Sequence, residues 1–586
     1  MDLIVSLEHA FKPFDRRFFT GAEKFTVIGR GSLGGKAHGL ALMKDILEGR
    51  LAPSLRPEIE VAVPTLTVIS TEFFELFMRQ NDLFEIASSS VRDDQIALAF
   101  QRASLPPQLV GDLRALIEQV HTPLAIRSSS LLEDAMFEPF ASVYATKMIP
   151  NNQLDADTRF RKLVEAVKFV YASTFFKDAK NYLQATAHSR NDEKMAVIIQ
   201  EVVGVRHGQR FYPHISGVAR SYNFYPLGLA KPAEGVVDLA LGLGKTIVDD
   251  GIAWSYSPGR PQANPPYNTL DDLLGQAQHE FWAVNMDPPL EYNPIKENEH
   301  MLKFSLENAE NDGTLRFIAS TYRAQDDKIV YGIAENGPRI VDFAPILKFD
   351  LIPLNKLLKE LLKLCEDTLQ KMVEVEFAIT LDESRGTPAR FGFLQVRPMV
   401  VSEADVELPL AELEGNNVLA ATESALGNGT LDSIRDVVYV KPEKFNFHHS
   451  EAIAAQLEDL NYHLVNEGHP YLLIGFGRWG TSDPQVGIPV NFGQISGAKV
   501  IIEAALLETS TMLSQGSHFF HNMTSFRVFY FSMSPSDPYQ IDWSWLNGQK
   551  AVRDTEFVRH VRLPVPLTIK VDGRTGRGVI YHDRSS

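Results

Sequence analysis

The clearest pattern in the chain is a strict alternation near its middle. Val373, Val375, Phe377 and Ile379 alternate with Glu374 and Glu376, the period-two signature of a half-buried strand, so the two carboxylates share a face. A polar linker, D-E-S-R-G-T-P, leads into F-G-F-L-Q-V-R-P-M-V, where Gln395 and Arg397 are again two apart. If the two runs form an antiparallel hairpin, the register that sets Glu376 opposite Gln395 also sets Glu374 opposite Arg397. One face then carries two carboxylates, an amide and a guanidinium.

The rest of the chain supplies elements on both sides of this hairpin. Phe25–Ile28 reads as a short strand that runs through G-R-G-S-L-G-G-K-A-H-G into a helix. A second strand is expected in P-E-I-E-V-A-V-P-T-L-T-V-I-S, followed by helices to about residue 120. T-P-L-A-I-R-S-S-S is a short apolar strand that delivers Arg127 and three hydroxyls to its end. Residues 155–188 read as paired amphipathic helices, M-A-V-I-I-Q-E-V-V as a buried strand, and residues 268–285 and 354–372 as helices. Beyond residue 404 the pattern predicts a strand at V-V-Y-V-K-P, a helix near 450–466, a strand at Y-L-L-I-G-F and a closing hairpin with Arg574 and Arg577 at its turn.

A length of 586 residues with 44% hydrophobic content allows three or four core-sized units. The single cysteine, Cys365, excludes an intramolecular disulfide and a cysteine metal site. A formal net charge of -17 argues against nucleic acid or an anionic membrane as the main partner. The acidic N-terminus lacks the pattern of a secretory signal, and no apolar run approaches the roughly 18–20 residues of a membrane span. The expected location is the cytoplasm.

Four places carry candidate chemistry, and each has a plainer reading beside it. The glycines at 29, 31, 34, 35 and 39, with Lys36, suit a phosphate cradle at a helix start, or a glycine-rich turn. A P-loop is excluded by Arg30 and Ala37; Gly29, Gly31 and Gly34 spell a dinucleotide fingerprint, but no acid closes a second strand at the required distance. Arg127 at a strand end suits a ligand phosphate or a surface ion pair. Gln200 and Glu201, followed by Val202 and Val203, suit an adenine edge or an ordinary strand terminus. The hairpin face suits magnesium, through hard oxygen ligands, together with a phosphate gripped by the guanidinium; it also suits a cross-strand ion pair.

The order of these pieces resembles the nucleotide-binding part of the phosphoenolpyruvate synthase and pyruvate phosphate dikinase family. G-G-K-A-H-G-L, A-I-R-S-S-S-L-L-E-D, F-A-S-V-Y-A-T, V-K-F-V-Y-A-S-T-F-F, M-A-V-I-I-Q-E-V-V, I-S-G-V-A, A-L-G-L-G-K-T-I-V and V-E-V-E-F with F-L-Q-V-R-P carry the resemblance over about residues 15–403. It implies an ATP-grasp-like fold with ATP between two lobes. By matching positions, Lys36 and Arg127 are implied to bind phosphates and Thr146 to lie near the nucleotide. Gln200, Glu201 and Val203 are implied to line the adenine pocket, and Glu376 and Gln395 to hold Mg2+. Glu374 and Arg397 complete the implied phosphate site, with Arg127 and Arg397 acting on the transferred group. Family members pass a phosphoryl group, often the β-phosphate, to a histidine on a swivelling domain. Two positions depart from the family pattern: Ser142 replaces a glycine, and Lys245 replaces the acid of G-L-G-E. No T-S-H-x-A segment follows residue 400, so activity on pyruvate is not expected.

The C-terminal third offers G-F-G-R-W-G-T-S-D, with Arg478, Thr481, Ser482 and Asp483 beside Trp479, a ring suited to stacking on a planar ligand. It also offers S-Q-G-S-H-F-F-H-N, with His518 and His521. His518 is the better phosphoryl-acceptor candidate of the two; packing histidines are the plainer reading. The sequence therefore predicts an α/β (α+β) protein: a first lobe over 1–195, a second over 196–403 and a separate α+β domain over 404–586. The expected activity is an ATP- and magnesium-dependent phosphotransfer to an acceptor near residues 470–525, which is a small molecule, a carbohydrate or a protein. The alternative is an ATP-binding regulatory protein that transfers nothing.

Overall fold

The computed structural model describes residues 11–51, 58–130, 144–180, 193–223, 231–248, 252–263, 273–274, 277–289, 291–381, 389–399, 406–480, 487–505, 528–573 and 575–582. The chain is mixed α/β and divides into two compact units; among the described residues the first runs to Pro398 and the second takes those from Met399 onward.

The strands of the first unit are, in order, β1 (Lys12–Pro13), β2 (Phe25–Ile28), β3 (Ile59–Ala62), β4 (Leu66–Ile69), β5 (Leu124–Ser130), β6 (Thr146–Ile149), β7 (Met195–Glu201), β8 (Val205–His207), β9 (Arg210–Tyr212), β10 (Ile215–Arg220), β11 (Val236–Ala240), β12 (Trp254–Tyr256), β13 (Glu280–Asn285), β14 (Met301–Ser305), β15 (Ala319–Arg323), β16 (Lys328–Tyr331), β17 (Arg339–Val341), β18 (Val373–Thr380) and β19 (Ala389–Pro398). Two six-stranded sheets dominate: β1-β2-β4-β7-β5-β6 and β12-β11-β10-β18-β19-β3. Smaller sheets, β14-β13-β9-β8 and β16-β15-β17, complete the unit.

Two sequence expectations change here. The run from Ile59 to Ile69, expected as one strand, is two: β3 pairs in parallel with β19 and β4 with β2, in different sheets. Pro64 lies between them, and a residue without an N–H cannot continue a ladder. The helix expected over 268–285 is contradicted at its end, where Glu280–Asn285 is strand β13. E-F-W-A-V-N buries Phe281 and Ala283 at a spacing of two and is rich in strand formers. The other long helix holds: Leu354–Leu369 buries Leu354, Leu357, Leu358, Leu361, Leu362 and Cys365 along one stripe and ends at Gln370, which takes a left-handed φ of 53°.

In the second unit, Asp436–Val440, Tyr471–Phe476, Ala498–Ala504 and Phe529–Met533 form the parallel centre of a seven-stranded sheet. The helix Ser450–Asn466 links the first two of these strands. The closing hairpin pairs Thr568–Asp572 with Arg577–Tyr581; Arg574 lies outside the described residues, and Arg577 donates to the Leu408 carbonyl at 3.3 Å. Among the described residues no helix is long and apolar enough to cross a membrane.

Candidate functional site

The β18–β19 hairpin has the register that the alternation predicts: Glu374 pairs with Arg397 and Glu376 with Gln395. Beyond Glu376 the register shifts, so that Phe377 pairs with Phe393 and Leu394 becomes an extra residue. This bulge solves a parity conflict. Phe391, Phe393, Gln395 and Arg397 are all two apart, and a regular strand would send the polar pair to the side of the two rings. One inserted residue instead leaves Phe391 and Phe393 in the core with Val396 and turns Gln395 and Arg397 to the carboxylate face.

Arg127, on β5 of the other large sheet, reaches this face. Its Nη1 donates to the Leu394 carbonyl at 2.9 Å and to Gln200 Oε1 at 3.3 Å. Its Nη2 donates to Gln395 Oε1 at 2.7 Å and approaches Glu376 Oε2 at 3.4 Å. The bulge therefore also supplies a carbonyl acceptor for the guanidinium. Gln200 shares the Arg127 face, because Ala125 pairs with Gln200 and Arg127 with Ile198.

Glu374 holds Arg397 through Oε1 and accepts from Arg220 Nε through Oε2 at 2.6 Å. Arg220, on β10, donates through Nη1 to Asp238 Oδ2 at 2.7 Å. Burial disfavours the Arg220 charge, but Glu374 and Asp238 outweigh it and hold the guanidinium protonated. Two buried donors on this face, Gln200 Nε2 and Arg397 Nε, have no hydrogen-bond partner among the described residues, a costly condition that a bound acceptor relieves.

Lys36 lies in the first turn of α1 (Gly35–Arg50), and its Nζ donates to Ser128 Oγ at 3.3 Å, one residue along β5 from Arg127. The glycine loop before it packs more tightly than the phosphate reading requires. Gly34 has φ 77°, and a Cβ there would overlap the Ser129 carbonyl. The Ala37 amide already donates to Ser129 Oγ at 3.1 Å and the Arg30 amide to Glu72 Oε2 at 2.8 Å.

Thr146 pairs across from Arg127, and its amide donates to Glu297 Oε1 at 2.9 Å. Val203 packs onto the hairpin strand: a Cβ on Gly392 would fall 2.5 Å from Val203 Cγ2. Glu201 is not brought to the Arg127 face. It pairs with Leu124, one residue out of phase; burial pushes its carboxyl up while the Thr122 and Thr65 hydroxyls oppose that. The Glu201 and Val202 amides donate to Thr65 O and Pro123 O, each at 2.9 Å, so neither remains for an adenine edge. Beside this strand end, Val202 and Met148 pack against Leu243, Val284 and Met301.

Sequence reasoning missed Arg220, Asp238, Glu297 and the Leu394 carbonyl. It also missed a buried ionic cluster behind β6, in which Lys147 Nζ meets Glu299 Oε2 at 2.9 Å and Lys162 Nζ meets Glu299 Oε1 at 3.3 Å. Burial lowers the Lys147 pKa. Burial works against the Glu299 charge, yet Lys147, His300 and Lys162 keep its carboxyl below the ordinary range. His300 is pushed down to about 4 by burial, with Lys162 and Lys147 adding to the effect and Glu299 opposing it.

In the second unit the stacking role expected of Trp479 is corrected: its ring is 1% exposed and packs against Gly475 and Ile488. His518, His521, Thr481, Ser482 and Asp483 lie outside the described residues, as does Ser142.

The two large sheets converge cationic, carboxylate and amide side chains on one largely buried face. Residues 30–414 match the family described as Pyruvate phosphate dikinase, AMP/ATP-binding domain, and since this is well over half of the 586 residues the chain belongs to that family. The first unit thus has an ATP-grasp-like fold and is the ATP-binding domain of a phosphotransferase family. No curated protein matches the chain.

Proposed function

We propose that the protein transfers a phosphoryl group from magnesium-bound ATP to an acceptor that is a small molecule, a carbohydrate or a protein. The observation that carries this reading is the pair of buried donors, Gln200 Nε2 and Arg397 Nε, without a partner among the described residues, on the face where Arg127, Glu376 and Gln395 meet. Lys36, Arg127 and Arg397 supply positive charge to the phosphates. Glu376 and the Gln395 amide oxygen fit Mg2+, being hard oxygen donors opposite one another in the ladder; among the described residues no cage of three or more His, Cys, Asp or Glu forms. Mg2+ takes several of its ligands from water and phosphate, so a two-ligand protein site is chemically sufficient. When bound, the ion neutralises charge developing on the transferred group.

Arg127 is satisfied by the same oxygens that would hold the ion, so on this reading it turns to the phosphates as the ion takes its place. Glu374 orients Arg397, and Thr146 lies beside Arg127. The adenine goes to the end of β7, against Gln200 and Val203, with Val202, Met148 and Leu243 as an apolar wall; Glu201, on the opposite face of the strand, does not take the role expected of it. Catalysis here consists of positioning and charge neutralisation.

The test is product analysis after incubation with ATP, Mg2+ and a metabolite extract. ADP, or AMP with phosphate, is expected in amounts exceeding the protein. ATP that stays bound and intact would identify a nucleotide-responsive regulator instead.

A further inference from the structure

The nucleotide face is backed by a row of charges that crosses five strands of the second large sheet. Arg397 on β19 donates to Glu374 on β18; Glu374 accepts from Arg220 on β10; Arg220 donates to Asp238 on β11; and Asp238 accepts from Ser255 Oγ on β12. The ladder register brings these groups together: Glu374 is opposite both Arg397 and Arg220, and Asp238 is opposite Ser255. Glu374, Arg397 and Asp238 are each at least nine-tenths buried. Two guanidinium groups against two carboxylates make the row neutral, and Ser255 closes its far end.

Both oxygens of Glu374 are thus engaged by guanidinium groups. A carboxylate held at one oxygen turns easily about its last torsion, which is broad; one held at both has its plane fixed. Arg397 takes its direction from that plane. The direction is in turn secured by Arg220, which Asp238 holds by a separate nitrogen. Glu376, by contrast, has among the described residues the 3.4 Å approach of Arg127 and is partly exposed. The two carboxylates on one strand face therefore have different duties.

We propose that Arg220 and Asp238 are positioning residues that fix Glu374 as a clamp on Arg397, pre-aiming this guanidinium at a nucleotide phosphate and keeping Glu374 out of the metal site. Neither residue needs to touch the nucleotide. Pre-aiming of this kind lowers the cost of ordering a charged side chain when the ligand binds. The inference rests on the nucleotide reading given above and deepens it.

The experiment compares ATP and adenosine, each displacing a fluorescent ATP analogue from the full-length protein, with the half-saturating Mg2+ concentration measured in parallel. Two variants are used: Arg220→Lys, which keeps the charge but not the fork, and Arg220→Met/Asp238→Leu, which removes both buried charges together and so leaves neither unpaired. Both variants should lose roughly tenfold in ATP affinity, the scale of one charge-assisted hydrogen bond, with adenosine affinity and half-saturating Mg2+ unchanged. Wild-type ATP affinity in both variants would overturn the proposal. Equal losses for ATP and adenosine would overturn it in favour of a purely structural role, and a shifted Mg2+ requirement would overturn it by making Glu374 a metal ligand. Wild-type protein that binds neither compound would defeat the nucleotide reading itself, and the inference with it.

Discussion

The two units place their polar groups differently. In the first, charged and amide side chains sit within strands, on ladders whose register decides what they touch: Glu374 with Arg397, Glu376 with Gln395, Glu374 with Arg220. In the second, the parallel strands are mostly apolar, and two of their three charges are held within the sheet, Asp436 by His560 at 2.8 Å and Glu503 by the Tyr530 hydroxyl. Of the polar stretch G-R-W-G-T-S-D, Arg478 and Trp479 pair in a two-residue ladder with Gly487 and Ile488, apart from the seven-stranded sheet. Chemistry built into a long ladder is constrained by its register.

The largest effect on nucleotide binding that would sharpen this contrast is expected at Arg127, whose guanidinium reaches from the first large sheet to the Leu394 carbonyl, Gln395 and Glu376 on the hairpin of the second. Arg127→Met should weaken ATP binding by about 1.5–3 kcal/mol, the scale of a hydrogen bond to a charged group, measured by calorimetric titration. Next comes stability. Lys147→Met leaves Glu299 buried and opposed by fewer cations, and urea unfolding should show a loss on the order of 3–5 kcal/mol.

Acid acts on the same cluster. His300 is held at about 4 in the fold against 6.5 for a free imidazole, so between these values the unfolded chain binds the extra proton. Stability is then complete above about pH 6.5 and falls as the pH drops toward 4, by a total on the order of 3 kcal/mol. Glu299, whose carboxyl is lowered, adds a loss of the same sign at more acid pH. Urea unfolding at pH 7 and pH 5 should show the decline, and His300→Gln should reduce it. The smallest effect is expected in the second unit: Arg478→Ala should leave ATP affinity within about twofold, since residue 478 lies outside the residues that match the ATP-binding family, and substitutions that touch no such feature usually move energies by only about 0.5 kcal/mol.

How much of this was legible follows the same division. The hairpin register was readable because alternation and two polar pairs at equal spacing allow one pairing that satisfies both. The bulge was readable in principle: four residues at odd positions, two aromatic and two polar, cannot share one face. Asp238 had a signal too, a lone acid within V-V-D-L-A-L, which buries at a cost unless a cation meets it. Pro64 marked the break that sent β3 and β4 to different sheets. By contrast Lys147 and Glu299 lie 152 positions apart, in segments whose patterns name no partner, and only the fold joins them. The glycine loop carried a mixed signal, since part of its composition is demanded by the close packing of Gly34 on Ser129.

The central claim is that Glu376 and Gln395, with Arg127 above them, form the metal and phosphate face of an ATP site. It is tested most directly by titrating a nonhydrolysable ATP analogue into wild-type protein and Glu376→Gln across a range of Mg2+ concentrations. Wild-type affinity should rise with Mg2+, and the variant should lose most of that rise, by about tenfold or more, for want of one hard anionic ligand. A variant whose Mg2+ dependence matches the wild type would contradict the claim and remove the hairpin from the site.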